Sequence, residues 1–350
     1  MADLVLAVDI GGTKIAAGLV DRAGRLVRHA VRPTAPPVFE AVRAATEELG
    51  PGPVAAAGLS CAGPVDAVAG TVSPINIPTW RDFPLRARIG ALLPDVPIAL
   101  AGDGQCMALG EHWLGAGRGS DSMLGMVVST GVGGGLVLNG RPFAGRSGNS
   151  GHVGHVIAEP AGGDECTCGG RGCVETVASG PSMVRWAHRN GWTMTPMPAD
   201  VVLDAGQNLA ASTKSVAAPD PARRHAASTG RRVSVLGGPG RQGVAGAEVG
   251  SGRGLALAAA GGDPVAVAAF RRGGRALGLA IVAVAAVCDL ELVVVGGGVA
   301  QAGELLFAPV REALAEHAGL SYLAGLRVVP AELGTSAGLF GAAALAFHEL

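Results

Sequence analysis

The chain of 350 residues is long enough for one large domain or two ordinary ones, and its 49% hydrophobic content can fill sizeable cores. Its formal net charge of -1, from 27 basic and 28 acidic residues, gives no attraction to nucleic acid or to an anionic membrane surface. The composition therefore favours a globular protein that acts on small molecules, with neither nucleic acid nor membrane as a partner.

The N-terminal segment and the apolar runs indicate in which cellular compartment the protein is expected. The strand-like segment DLVLAV follows the first residues directly, without the basic segment, apolar core and cleavage site of a secretory signal. The longest apolar run, Ala276 to Cys288, is shorter than the roughly 20 residues that cross a bilayer. We therefore expect a cytoplasmic protein in which this run is a buried helix.

Local patterns along the chain predict an α/β protein, since strands alternate with helices. The first helix is predicted in VFEAVRAATEEL, where Val38, Val42, Ala45 and Leu49 share one face. A long helix is predicted to begin at Asp263 and Pro264, which are good N-cap and first-turn residues. Strands are expected around 3–8, 15–20, 25–29, 54–60, 97–101, 123–130, 136–140, 291–296 and 326–330, and further helices over 104–114, over 303–317 and from about 335.

Residues from about 204 to 254 interrupt this rhythm. They are rich in Gly, Ala, Ser, Pro and Arg and show no sustained periodicity. We interpret them as a disordered insertion, and a short irregular subdomain is the alternative.

The first glycine-rich hairpin, in VLAVDIGGTKIAAGLV, has the composition of a phosphate site. A strand delivers Asp9, while Gly11 and Gly12 allow the backbone to come close to a ligand. Thr13 and Lys14 add a hydroxyl and a cation, and Asp9 is suited to orient a Mg²⁺ ion that bridges nucleotide phosphates. The segment lacks the Gly-Lys-Ser/Thr start of a helix that defines the Walker motif, and an ordinary hairpin turn is the alternative.

Two further glycine runs strengthen the hypothesis of a nucleotide site. The loop Ser129 to Gly135 repeats the first hairpin's chemistry, and a third run follows a buried strand at Gly296 to Gly298. Together the three runs predict one nucleotide held between two lobes. The predicted contacts are Thr130, Gly131, Gly133, Gly134, Gly297 and Gly298.

The cysteines separate into a cluster and three scattered residues. Cys166, Cys168 and Cys173 lie within eight positions, whereas Cys61, Cys106 and Cys288 have apolar surroundings. Three thiolates with one imidazole from the preceding GHVGH supply the Cys₃His set of a structural Zn²⁺ site. Free buried thiols are the alternative interpretation.

These motifs together resemble one known family. DIGGTK, STGVGGG, the GH…CxCGGxGCxE segment and VVVGGGV occur in the order found in the ROK family of bacterial sugar kinases and related repressors, over about 3–203 and 255–347. The resemblance implies an actin-like, hexokinase-type (ribonuclease H-like) α/β fold, with sugar in a central cleft between two lobes and ATP beside it. It also implies a homodimer or homotetramer.

The resemblance divides the chain and assigns the catalytic group. We expect an N-terminal lobe over 1–115 and a C-terminal lobe over 116–350 that carries the zinc segment 151–175. In the family, the aspartate of an Asn-Asp pair takes the proton from the sugar hydroxyl, and this aspartate falls on Asp103. Gly102 replaces the asparagine, so one amide that would bind a sugar hydroxyl is missing. A capping role for Asp103 at the helix starting at Gly104 is the alternative.

The same resemblance assigns the remaining sugar contacts. His155 is expected to bind the zinc ion and to touch the sugar with its other ring nitrogen, and Glu175 to bind sugar hydroxyls. His152 stands where many members carry a glutamate, as in some N-acetylmannosamine kinases; a surface position or a role as metal ligand are alternatives. The alternative interpretation of Glu175 is an exposed residue at the start of a helix. Gly63 and Asn76 are also expected to line the sugar pocket; the alternative is that a Gly-Pro turn and an asparagine in a Pro-rich loop need no ligand.

The expected activity is ATP-dependent phosphorylation of the 6-hydroxyl of a hexose. Glucose is placed ahead of N-acetylmannosamine because Gly102 breaks the motif. A non-catalytic sugar-binding regulator is the alternative class. The repressors of the family carry an N-terminal helix-turn-helix, whereas here the phosphate hairpin follows the first strand, so DNA binding is not expected.

Overall fold

The computed structural model describes residues 4–50, 52–193 and 252–350. The strands are β1 Val5–Ile10, β2 Lys14–Val20, β3 Leu26–Pro33, β4 Ala56–Cys61, β5 Val65–Asp66, β6 Thr71–Val72, β7 Ile98–Gly102, β8 Met123–Val128, β9 Val132–Leu138, β10 Arg141–Phe143, β11 Leu292–Gly296 and β12 Arg327–Pro330. The helices are α1 Val38–Glu48, α2 Leu85–Gly90, α3 Asp103–Leu114, α4 Val174–Ala178, α5 Gly180–Arg189, α6 Gly252–Ala260, α7 Pro264–Cys288, α8 Glu304–His317 and α9 Ala337–His348.

Two five-stranded sheets share one topology. The first has the order β3-β2-β1-β4-β7 and the second the order β10-β9-β8-β11-β12. In each sheet the first two pairings are antiparallel and the last two are parallel. The β1–β2 and β8–β9 hairpins, which carry the first two glycine-rich segments, therefore occupy equivalent positions in the two sheets.

Helices α3 and α9 lie between the two sheets. Helix α9 packs against β1 and β4, helix α3 packs against β8 and β9, and the two helices pack against each other. A Cβ atom at Gly341 would lie 1.6 Å from the carbonyl oxygen of Cys106, so the helices cross at a distance that only glycine permits. The predicted lobe boundary after residue 115 places α9 in the C-terminal lobe. In the structure α9 packs against β1 and β4, so it covers the sheet of the N-terminal lobe.

The hydrophobic cores follow the predicted faces. Val38, Val42 and Ala45 of α1 are buried in the first lobe, as the periodicity predicts. Helix α7 begins as predicted, since Asp263 accepts hydrogen bonds from the N–H groups of Val265 and Ala266 at 3.0 and 2.8 Å. Within the described ranges, no helix combines the length and the hydropathy of a membrane span.

The predicted insertion falls almost entirely outside the described residues. Positions 204–251 lie there, and residues 252–254, which the prediction included in the insertion, form the first turn of α6. The regular chain thus resumes slightly earlier than the composition indicated.

Candidate active site

The first hairpin is a tight three-residue turn between β1 and β2. The N–H of Gly11 donates to the carbonyl of Lys14 at 3.0 Å. Thr34, just beyond β3, donates from its hydroxyl to the carbonyl of Gly11 at 2.7 Å and from its N–H to the carbonyl of Thr13 at 3.1 Å. The turn is therefore held in shape, while Gly12, Thr13 and Lys14 stay exposed to a ligand.

Asp9 lies near the end of β1, beside this turn. Asp9 pairs with Ser60 in the parallel register of β1 and β4, and the Ser60 hydroxyl donates to its carboxylate at 2.7 Å. Burial raises the pKa of the Asp9 carboxyl, while the Ser60 hydrogen bond and the charge of Lys14 oppose that shift. The carboxylate is thus desolvated and close to a cation, as expected of a group that orients a metal ion at phosphates.

Asp103 is the first residue of α3 and directly follows β7. Its carboxylate accepts a hydrogen bond from the N–H of Gly104 at 2.8 Å, so it also satisfies one amide of the helix start. Burial raises the pKa of the Asp103 carboxyl; the Gly104 hydrogen bond opposes the shift and the charge of Asp9 adds to it. The side chain is surrounded by protein atoms but keeps access to solvent, so Asp103 is a reachable carboxylate with increased affinity for a proton.

Gly102 is the N-cap residue of α3, with φ -66° and ψ 152°. These angles are open to any L-residue. Apart from the adjacent residues Ala101 and Asp103, no described residue has a heavy atom within 4 Å of the position that a Cβ atom would take. The missing family asparagine therefore leaves open space beside Asp103, and neighbouring side chains do not fill it.

A small cavity brings together residues from both lobes. Gly63 and Asp103 from the first lobe and Gly133, Gly134 and His152 from the second are among its lining residues. Nε2 of His152 lies 3.3 Å from the position of a Cβ atom at Gly63, so any larger residue at Gly63 would press on the imidazole. The structure thus places three of the predicted sugar-site residues, Gly63, Asp103 and His152, at one cavity.

A larger cavity of about 600 Å³ lies at the other end of α3. Its lining includes Arg22, His112, Trp113 and Phe347. We place the chemistry in the smaller cavity because its lining combines the Asp103 carboxylate, whose pKa is raised by burial, with Gly133 and Gly134 of the second glycine-rich segment.

The second hairpin differs from the predicted loop. Strand β9 begins at Val132, so the turn is Ser129 to Gly131, and Gly133 and Gly134 are strand residues paired with Val127 and Met126. The reason is the passage of α3 over this strand. A Cβ atom at Gly135 would lie 2.3 Å from Cα of Gln105, and one at Gly104 would lie 2.6 Å from the carbonyl oxygen of Gly134.

The third glycine run lies beside this turn. Gly297 follows β11 with φ +94°, and a Cβ atom there would lie 2.4 Å from the carbonyl oxygen of Val128. Gly298 is close to Ser129, since its Cβ position is 3.5 Å from the Ser129 hydroxyl. Because Thr130 and Gly131 occupy the same turn, the structure gathers four of the residues predicted for the nucleotide.

Glu175 lies in the first turn of α4 and contacts the second hairpin. Its carboxylate accepts from the N–H of Val132 at 2.9 Å and lies 2.6 Å from the Cβ position of Gly131. The side chain is half-buried, so the alternative of an exposed residue does not describe it.

Asn76 lies against the first hairpin. Its side-chain nitrogen is 2.6 Å from the position of a Cβ atom at Gly12, so glycine is required there for contact with the amide. The prediction placed Asn76 on a loop lining the sugar pocket, whereas the contact observed is with the predicted phosphate turn.

The cysteine cluster has the geometry of a metal site. One ligand atom each from His155, Cys166, Cys168 and Cys173 lies within 4.8 Å of all the others. Nδ1 of His155 is 3.6 Å from Sγ of Cys166, and Sγ of Cys168 is 3.7 Å from Sγ of Cys173. Tetrahedral zinc, with Zn–S bonds of about 2.3 Å and a Zn–N bond of about 2.0 Å, requires edges of about 3.8 and 3.5 Å. The donor set and its spacing fit zinc.

Three residues of the site escaped the sequence analysis: Thr34, Ser60 and Asn149. Asn149 accepts from the N–H of Val65 at 3.1 Å and donates to the Val65 carbonyl at 2.7 Å. Each of the three reaches a partner far away in the sequence, and none belongs to a motif with a local signature. Ser60 is placed beside Asp9 by the parallel pairing of β1 and β4, and the sequence of either strand alone does not show that pairing.

Two lobes of equal sheet topology, two helices crossing between them and a carboxylate in the cleft define an actin-like, hexokinase-type fold. The model of the ROK family matches residues 5–231 and 245–349. The chain belongs to the ROK family.

Its relatives include sugar kinases of two specificities. A glucokinase of Streptomyces coelicolor is 32% identical over 348 residues, which are 98% of this chain and 97% of the relative. An N-acetylmannosamine kinase of Yersinia pseudotuberculosis is 39% identical over 218 residues, 58% of this chain and 69% of the relative. The crystal structure of a ROK glucokinase from Streptomyces griseus with glucose and AMPPNP has a TM-score of 0.72 and 32% identity, and covers 99% of each chain.

Proposed function

We propose that the protein is an ATP-dependent sugar kinase that transfers the γ-phosphate of ATP to the 6-hydroxyl of glucose. The observation that carries the proposal is the position of Asp103. This carboxylate has a raised pKa, faces the cavity shared with His152, and lies within electrostatic range of Asp9 at the first glycine-rich turn. Phosphoryl transfer needs this combination of a positioned base and a phosphate-binding turn.

In the proposed reaction Asp103 accepts the proton of the sugar 6-hydroxyl. The hydroxyl oxygen then forms a bond to the γ-phosphorus, and the bond between that phosphorus and the bridging oxygen of ADP breaks. The raised pKa suits this role because it increases the affinity of the carboxylate for the transferred proton.

The two hairpins would bind the nucleotide. Asp9 would hold Mg²⁺, which neutralises phosphate charge when bound. The backbone and side chains of Gly11, Gly12, Thr13 and Lys14 would contact phosphates from the first lobe. From the second lobe the proposed contacts are Thr130, Gly131, Gly133, Gly134, Gly297 and Gly298. The glucose- and AMPPNP-bound relative supports this use of the fold.

The sugar would be held by Gly63, His152, His155 and Glu175 around Asp103. Nδ1 of His155 lies 3.6 Å from Sγ of Cys166 in the ligand cluster, which leaves Nε2 for a sugar hydroxyl. A zinc ion bound by His155 and the three cysteines would stabilise the segment and fix the orientation of the His155 ring. Asn76, predicted for the sugar pocket, instead lies against Gly12 of the phosphate turn.

The share of each chain that aligns with its relatives supports glucose as the substrate. The Streptomyces coelicolor glucokinase aligns over almost all of both chains, whereas the N-acetylmannosamine kinase aligns over 58% of this chain. N-acetylmannosamine is the second candidate, favoured by the 39% identity within that shorter match and by His152. Open space at Gly102 is compatible with either sugar.

A coupled assay of ADP release tests the proposal with glucose, N-acetylmannosamine, N-acetylglucosamine, fructose and allose as substrates. We expect turnover with glucose, and turnover slower by about 10²- to 10⁴-fold in the Asp103→Asn variant. Zinc content and a thermal melting curve, measured on the same preparation, serve as controls for folding. Absence of ADP release with all five sugars from folded, zinc-loaded protein would refute the kinase and favour a non-catalytic sugar-binding regulator.

A further inference from the structure

A loop of the second lobe contacts a loop of the first lobe beside the Asp103 cavity. The side chain of Asn149, between β10 and α4, pairs with both backbone groups of Val65: its oxygen accepts at 3.1 Å and its nitrogen donates at 2.7 Å. Nearby, the Cβ position of Gly148 is 2.7 Å from Cβ of Ala67. The two lobes are therefore joined at this point by a pair of directional hydrogen bonds.

The partner in the first lobe is firmly anchored. Val65 is 2% exposed and belongs to the hydrophobic core beneath the first sheet. It lies two residues after Gly63, which faces the imidazole of His152. The Asn149–Val65 pair therefore joins the segment that carries Gly63 to the segment that carries His152.

Asn149 also contacts His152 through its backbone. Its carbonyl oxygen is 2.9 Å from Nδ1 of His152, and a carbonyl can only accept, so Nδ1 carries the hydrogen in this contact. In the neutral ring, Nε2 then presents a lone pair toward Gly63 and the cavity. Such a nitrogen binds a group that donates a hydrogen bond, such as a sugar hydroxyl.

We propose that Asn149 is a positioning residue of the sugar site: it joins the two lobes through Val65 and holds His152 with Nε2 as acceptor for a substrate hydroxyl. This role rests on the proposed sugar kinase function. It also defines the substrate class further, since the substrate must offer a donor hydroxyl to Nε2.

The Asn149→Asp variant tests this role with almost no change of shape. Its carboxylate can still accept from the Val65 N–H but faces the Val65 carbonyl oxygen with a second acceptor, which breaks the pair. We expect KM for the sugar to rise about ten- to a hundredfold, while KM for ATP and kcat change by less than about threefold, because sugar binding alone is weakened. Asn139→Asp, in the exposed β9–β10 turn, is the matched control and should leave all three constants unchanged.

Asn149→Ala removes both hydrogen bonds without adding charge, and should raise KM for the sugar in the same direction. Either variant with an unchanged KM for the sugar would overturn the proposal. A drop in melting temperature with wild-type KM values would show that Asn149 only stabilises the fold, and would also overturn it.

An NMR measurement separates this inference from the kinase function. In ¹⁵N-histidine-labelled wild-type protein, at an alkaline pH where imidazole rings are neutral, His152 should show a protonated Nδ1 and an unprotonated Nε2. Asn149→Ala should mix the two tautomers, because the carbonyl that accepts from Nδ1 remains but is no longer held in place through Val65. This readout requires no turnover, so a protein without kinase activity still tests it. A wild-type His152 ring protonated on Nε2 alone would contradict the assignment.

Discussion

Glu111 of α3 accepts a hydrogen bond from the backbone N–H of Leu333, which precedes α9, at 2.8 Å. The same fully buried carboxylate also accepts from the N–H groups of Ala116 and Glu332 at 2.9 and 3.1 Å. Three backbone amides thus converge on one side chain: one follows α3, and the other two precede α9. The contact fixes the end of α3 to the segment that leads into α9.

Substitution of this carboxylate should destabilise the protein. In Glu111→Gln the amide NH₂ group faces backbone donors, and we expect a loss of about 2–3 kcal/mol in the free energy of unfolding. Urea denaturation followed by circular dichroism measures the loss. Glu312→Gln, on the exposed face of α8, is the control and should leave the midpoint unchanged. Equal midpoints for the two variants would show that the Glu111 contacts contribute little.

Asp103→Asn should separate activity from stability. We expect turnover to fall about 10²- to 10⁴-fold through loss of the general base. Burial raises the pKa of Asp103 above its ordinary value of 3.8, so the stability that this group contributes is present below about pH 4 and is lost as the pH rises through the raised pKa. The variant, which cannot ionise, should therefore melt at a higher temperature than wild type at pH 7.

The comparison of melting temperatures extends to acid pH. The advantage of Asp103→Asn should shrink as the pH falls toward about 4, because Asp103 of the wild type then becomes protonated. In parallel, wild-type kcat/KM should decline in acid as the base is lost. A variant that keeps near-normal turnover would refute the assignment of the base, and one that is less stable at pH 7 would refute the desolvation of Asp103.

Cys166→Ser tests the metal site. We expect elemental analysis to show a large loss of bound zinc and thermal melting to show a less stable protein, since zinc coordination contributes to folding. Cys288→Ser, a partly buried cysteine at the end of α7, is the control and should keep its zinc. Undiminished zinc in Cys166→Ser would refute the proposed ligand set.

Gly102→Asn tests the open space beside Asp103. Asparagine is a favoured N-cap residue, and the observed backbone angles accept it, so we expect a gain of a few tenths of a kcal/mol. The new amide lies next to the base, and KM for glucose should decrease. Gly319→Asn, at an exposed position after α8 where a Cβ atom would meet no neighbour within 4 Å, is the control for a change from Gly to Asn. A raised KM for glucose would show that the space serves the native substrate.

The features that could be predicted from sequence depend on short spacings. The buried face of α1, the Asp263 cap and the Cys166–Cys173 cluster all lie within one helix or one short segment, so periodicity or spacing identifies them. The resemblance carried Asp103 onto the start of a helix, where the structure also has it. Such local patterns are independent of how distant parts of the chain meet.

The features that escaped prediction depend on long-range packing. Asn149 and Val65 are 84 positions apart, and Ser60 and Asp9 are 51 apart, so no local pattern links them. The glycines of β9 resemble a ligand loop in sequence, yet part of their role is to admit the backbone of α3. Glycine is favoured both where another backbone segment packs closely and where a ligand binds closely. The sequence alone therefore could not separate these two roles.

The crossing of α3 and α9 also bears on synthesis of the protein. Leu339, Ala342 and Ala346 of α9 complete a core with Val5 and Ala56 of the first sheet. A ribosome that has made the first sheet must still translate the whole second lobe before the helix that covers it emerges. The N-terminal lobe is therefore expected to expose an apolar face to chaperones during translation, and a fragment that ends at residue 115 should aggregate rather than fold.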